Sequence, residues 1–212
     1  MTKRLLLLGT ALALLLTAVG CGGQKGPTPI LPPQATETET ARLTEAAFPY
    51  DPALWELDDS TQPAVFRCLA APEEGRTANF TFAVGDPYTS LLNETMLEAF
   101  ADACRQSSSF LTVDLAELRM LEGSPAMYLE TTVTYTDEAI DRALADGLLT
   151  QEALDAAGGR EAFLDIPPIR QLMVCPTAEK FLCVFTGTYF DQQQKEAILD
   201  AIALAMTEID IL

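Results

Sequence analysis

The chain of 212 residues contains no histidine. That absence removes the commonest general base, the Ser-His and Cys-His nucleophile pairings, and the commonest metal ligand. Positive charge is scarce too: 13 lysines and arginines stand against 31 aspartates and glutamates, a net charge of −18. Nucleic acid and anionic headgroups repel such a chain, so neither is an expected partner. Beyond the first residues the lysines are only Lys25, Lys180 and Lys195, in segments that read as tether, turn and helix start, too peripheral for a Ser-Lys dyad. A glycine-rich phosphate loop and a CxxC or cysteine-histidine metal spacing are both missing. The pairs Asp58-Asp59, Glu73-Glu74 and Asp137-Glu138 lack the spacing and central glycine of a calcium loop. No metal and no cofactor are therefore expected, and a solvated acidic surface accounts for the charge.

What is present begins with an address. Lys3 and Arg4 precede a run from Leu5 to Val19 that is apolar except for Thr10 and Thr17, the profile of a signal peptide. The run stops at Gly20, Cys21, Gly22 and Gly23, short of the roughly 20 apolar residues that cross a hydrocarbon core. Ala18 and Gly20 are small enough for an ordinary signal peptidase, which would release a soluble product. The tetrapeptide Ala18-Val19-Gly20-Cys21 also resembles the lipobox of bacterial lipoproteins. That resemblance implies that residues 1–20 are a lipoprotein signal peptide and that Cys21 carries diacylglycerol. Two acyl chains, at about 0.8 kcal/mol per buried methylene, suffice for stable anchoring. The expected location is the outer side of a bacterial cell membrane, with membrane lipid as a partner through Cys21.

Residues 21–41 are rich in glycine, proline, threonine and glutamine and read as a flexible tether. Residues 42–212 read as one folded domain. "LTEAAFPYDPALWELDDS" suggests a strand, a turn at Asp51-Pro52 and a return through Trp55. "AVFRCLA" and "NFTFAV" follow as strands, the second with Phe80, Phe82 and Val84 on one face. Leu92, Met96, Leu97, Phe100 and Cys104 then mark a helix, with Thr89 or Ser90 expected as its N-cap. "FLTVDL" and "LRML" are short apolar runs, and "AMYLETTVTY" alternates so that Met127, Leu129, Thr131, Val133 and Tyr135 share a face. "QLMVC" and "FLCVFTGTYF" form a hairpin about Thr177 to Lys180. A last helix starts at an Asp191/Gln194 capping box and buries Ile198, Leu199, Ile202, Met206 and Ile209. Contiguous strands with few helices predict an antiparallel sheet flanked by helices, α+β in class.

Four cysteines follow Cys21: Cys68, Cys104, Cys175 and Cys183. They serve either as small buried hydrophobes or as bridges, and Cys175 with Cys183 is the best local pair because the two flank the hairpin turn. Residues 136–168 interrupt the strands with a helical insertion, longer than connections usually run unless functional or mobile. Thr136 caps a first helix that Gly147 ends, and Thr150 caps a second that stops near Gly158-Gly159. Ile140, Ala143 and Leu144 give the first helix a narrow apolar face, while Leu148 and Leu149 sit in a joint where both cannot easily point inward. Ile140, Leu144, Leu148 and Leu149 are the expected partner-binding residues; alternatively the helix pair covers one face of the sheet.

The strand into "FPYDPALWEL", the phenylalanine-rich "NFTF", the amphipathic helix, the Gly-x-Pro-Ala turn before an alternating strand, and the final helix after "FTGTYF" together resemble the PsbP-like superfamily. That superfamily includes photosystem II extrinsic proteins, a Ran-binding nuclear transport factor and bacterial lipoproteins related to DcrB. The resemblance covers about Arg42 to Leu212 apart from the insertion. It implies an α/β/α sandwich with a central antiparallel sheet, and a binding or assembly role with no catalytic signature to transfer. The expected function is a non-enzymatic module in the cell envelope with a protein partner there. An envelope hydrolase using acidic residues, or a cation-binding protein, is the alternative.

Overall fold

Large apolar residues at alternate positions build most of this fold. The computed structural model describes residues 28–30, 37–69, 76–88, 90–121 and 123–212; residues 1–20, read above as a signal peptide, and Cys21 lie outside them. The elements are β1 (Thr28–Ile30), β2 (Glu39–Arg42), β3 (Ala46–Tyr50), β4 (Trp55–Asp58), β5 (Val65–Cys68), β6 (Asn79–Pro87), α1 (Glu94–Ser107), β7 (Leu111–Leu121) and β8 (Ser124–Val133). They continue with α2 (Asp137–Ala145), α3 (Gln151–Ala156), α4 (Gly159–Leu164), β9 (Ile169–Cys175), β10 (Thr177–Ala178), β11 (Phe181–Tyr189), α5 (Gln192–Thr207) and β12 (Asp210–Ile211). A 9-stranded sheet runs β1-β7-β8-β9-β11-β6-β5-β4, with β10 beside β11; a 3-stranded sheet runs β12-β3-β2. Every pairing is antiparallel except that of β1 with β7. The chain thus has the expected architecture, an antiparallel sheet flanked by helices.

Both faces of the large sheet are covered. On one, Phe66, Phe80, Phe82 and Phe185 meet Phe48 of the small sheet and Ile198 and Ile202 of α5. Phe66 stacks on Phe80 at 4.5 Å and Trp55 meets Phe80 edge-on at 4.9 Å. Each such ring contributes roughly 1.5–3 kcal/mol on burial. On the other face Leu97, Phe100 and Cys104 of α1 pack on Met127 and Leu129 of β8. The alternation read from "AMYLETTVTY" accordingly separates the two cores. Gly187 brings α5 close to the sheet: a Cβ there would lie 2.8 Å from Ile198 Cγ2.

Several local readings are corrected. The turn at Asp51-Pro52 does not close a hairpin, because β3 joins the small sheet while β4 pairs with β5 at the margin of the large one. Helix α1 is capped by Asn93, whose side chain accepts from Met96 N, rather than by Thr89 or Ser90; Leu92 is buried just ahead of that cap. The runs "FLTVDL" and "LRML" form one strand, β7, broken in register at Asp114 by a bulge that keeps apolar side chains on the α1 face. Strand β1 falls within the residues read as tether, and its Ile30 is buried in the aromatic core. The hairpin of β9 and β11 and the start of α5 match expectation. Asp191 accepts from Gln194 N at 2.7 Å, and Gln194 Oε1 accepts from Phe190 N at 2.9 Å.

Candidate functional site

The insertion between β8 and β9 holds three short helices, one more than expected, because Gly158 and Gly159 take positive φ and restart the chain as α4 instead of ending the helical region. Thr136 and Thr150 cap α2 and α3 through their hydroxyls, as read. Gly147 ends α2 at φ +68, with Gly147 N donating to Leu144 O and Leu148 N to Ala143 O, the two bonds of a Schellman cap. The helices pack on one another. Ile140, Ala143 and Leu154 are buried, and Arg160 of α4 clamps Asp137 at 2.8 Å and Asp141 of α2. A ring series Phe110, Tyr135, Phe163, at 4.9 and 5.2 Å, joins this unit to the strand ends beneath it.

The four expected partner-binding residues divide. Ile140 is buried, because with Ala143 it forms the inward face of α2, and it therefore presents nothing to a partner. Leu144 and Leu149 are half-buried, and Leu148 is exposed. The joint behaves as its geometry required, with one leucine out. Leu164 and Ile166, which sequence reasoning passed over, are exposed as well. Eight acidic side chains stand against two arginines between 136 and 168, so these apolar tips lie in a negative field.

A second cluster was not foreseen. Lys195, in the first turn of α5, reaches Glu130 Oε1 of β8 at 2.5 Å. Tyr128 donates to the same oxygen at 2.6 Å, Tyr189 donates to Oε2 at 3.3 Å, and the Arg119 guanidinium lies 3.4 Å over the Tyr128 ring. Desolvation works to raise the Glu130 pKa, but the hydrogen bonds from Lys195 and Tyr128 outweigh it and hold the carboxyl below its ordinary value. Burial and the Glu130 charge push the Tyr189 hydroxyl up to about 12 and Tyr128 higher still. Neither group is poised near neutrality, as a general acid or base needs to be. The arrangement binds α5 to the sheet. Its sequence signal is a lysine in register with the apolar stripe of α5, three residues before Ile198.

The thiols are buried and unbridged at Cys68, Cys104, Cys175 and Cys183. The expected Cys175–Cys183 pairing is corrected by the pleat. Cys175 packs with Met127 and Leu129 under α1, whereas Cys183 packs with Phe185 in the aromatic core on the opposite face. Desolvation pushes the Cys104 thiol up to about 11 and Cys183 to about 12. Among the described residues there is no group of three or more metal-ligating side chains and no helix long and apolar enough to cross a membrane.

No family model matches the chain. No curated protein matches it either. Among solved structures it is similar to that of cyanobacterial PsbP from Synechocystis sp., at 15% identity and a TM-score of 0.42, over 92% of this chain and 98% of that one.

Proposed function

We propose that this chain is a non-enzymatic binding or assembly module, held outside a bacterial cell membrane by lipid on Cys21, whose helical insertion faces a protein partner in the envelope. The observation that carries the reading is the self-contained character of the insertion. Its helices pack on one another, both sheet faces are covered without it, and Leu148, Leu164 and Ile166 are exposed on it. An apolar tip ringed by acids suits a partner surface with apolar and basic groups.

Two experiments test this. Replacing Asp137–Asp165 with a glycine-serine linker should leave cooperative unfolding intact while abolishing partner capture by crosslinking in intact cells. Loss of the folding transition would mean that the segment is core. Cys21→Ser should move the protein from the membrane fraction to the medium or leave an unprocessed precursor. A wild-type product that begins at Cys21 with a free thiol would refute the anchor.

A further inference from the structure

Strand β1 lies in the segment whose composition reads as tether, yet it is held. Thr28, Pro29 and Ile30 pair in parallel with Arg119, Met120 and Leu121 at the margin of the large sheet. Ile30 is 7% exposed and joins Leu121 in the aromatic core, and α5 lies against the same strand. Thr28 is the first described residue and is already fixed to the sheet. Cys21 precedes Thr28 by seven residues and Glu39, where β2 starts, by eighteen. An extended chain spans at most about 3.3–3.6 Å per residue, so the link from Cys21 reaches about 25 Å if it ends at Thr28 and roughly 60 Å if it ends at Glu39.

The shorter link is smaller than the body it carries. Along the path β1-β7-β8-β9-β11-β6-β5-β4, at about 4.8 Å per strand, the β4 margin lies roughly 34 Å from β1. Cys21 can therefore reach the surface around β1 and β7 but not the β4 margin. Charge agrees with this placement: between Cys21 and Thr36 the one charged residue is Lys25, and all 31 acidic residues follow Thr36. The link is thus the part of the chain that an anionic surface does not repel. We propose that β1 is a strap that turns the β1–β7 margin of the domain to the lipid bilayer and holds it within about 25 Å of the surface, the β4 margin facing away. This rests on the lipid at Cys21 proposed above. The strap decides the geometry, because with Ile30 out of the core the domain would turn freely at the end of a link more than twice as long.

The test uses the full lipidated chain in phosphatidylcholine vesicles that carry an acceptor dye on the lipid headgroup. A donor dye sits on Ser124→Cys, opposite Leu121 in β8, or on Asp59→Cys, just after β4; both positions are exposed, and Cys68, Cys104, Cys175 and Cys183 are buried. Energy transfer should be greater from the Ser124 site than from the Asp59 site. Twelve glycine and serine residues added between Gly23 and Gln24 lengthen the link ahead of β1, from an r.m.s. span of about 15 Å to about 24 Å, and should lower transfer from the Ser124 site about twofold or more. The same addition between Pro33 and Gln34 lies beyond the strap and should leave transfer unchanged. Ile30→Asp, which puts a charge into the core, should make the second addition act like the first; the additions alone change no core residue and decide the matter even if that variant loses its thermal transition. Equal effects of the two additions in a chain that keeps Ile30, or greater transfer from the Asp59 site, would overturn the strap and leave the anchor standing. A chain that stays out of the vesicle fraction would overturn the anchor and the strap with it.

Discussion

Replacing Lys195 with methionine keeps the length and apolar stem of the side chain while deleting its charge, so the change isolates the ion pair with Glu130. The two side chains are 15% and 19% exposed, which places the pair between two known regimes. Fully exposed pairs are worth about 0–1 kcal/mol. Removing one partner of a fully buried pair costs about 3–5 kcal/mol, because the other charge is left unpaired. An intermediate loss of about 2 kcal/mol is expected at pH 7, or about 4–8 °C in Tm for a chain of this size. Tyr128 and Tyr189 still donate to Glu130 in the variant and limit the loss. The pH dependence distinguishes charge from packing. Because Glu130 is held below its ordinary value of 4.5, its contribution in the wild type is fully present above that value and is lost as pH falls through the lower, folded value. Urea unfolding at pH 7 and again in acid, below the folded value, should therefore show a large difference between wild type and variant at pH 7 and little in acid. A difference of equal size at both pH values would mean that Lys195 acts only through its stem, and no difference at pH 7 would refute the reasoning outright.

Gly187→Ala should destabilise by about 1–3 kcal/mol, since the new methyl lies 2.8 Å from Ile198 Cγ2; an Ile198→Val partner should recover part of the loss, and urea midpoints of the single and double variants decide. The four buried thiols, with Cys104 and Cys183 pushed to about 11 and 12, should react with a thiol-specific disulfide reagent at pH 8 far more slowly in native protein than in urea. Rapid native labelling would contradict the burial, and missing thiols in urea would reveal bridges.

Much of this fold was legible because local periodicity survives folding. The alternation of "AMYLETTVTY" placed Met127 and Leu129 on one face, and both are buried there under α1. Asp191 and Gln194 set the start of α5, and Thr136, Gly147 and Thr150 set the helix boundaries of the insertion. These features depend on neighbours within a few residues, where caps and side-chain direction act. The part of the candidate site readable in this way was the exposed Leu148. Ile140 was misjudged because a narrow apolar face does not say whether it meets solvent or a neighbouring helix.

The sequence by itself determined the lack of histidine and the charge of −18, the α+β class, and the positions of most strands and helices. Tertiary structure alone decided that β3 and β4 part into different sheets, that Ile30 closes over one end of β7, and that Glu130 meets Lys195 across 65 residues. It also placed Cys175 and Cys183 on opposite faces, although they are neighbours along the hairpin. The reason is common to all four. Period and capping specify which way a side chain points from its own element, but which element it then meets depends on strand order and register, and those minimise the free energy of the whole core rather than of any local segment.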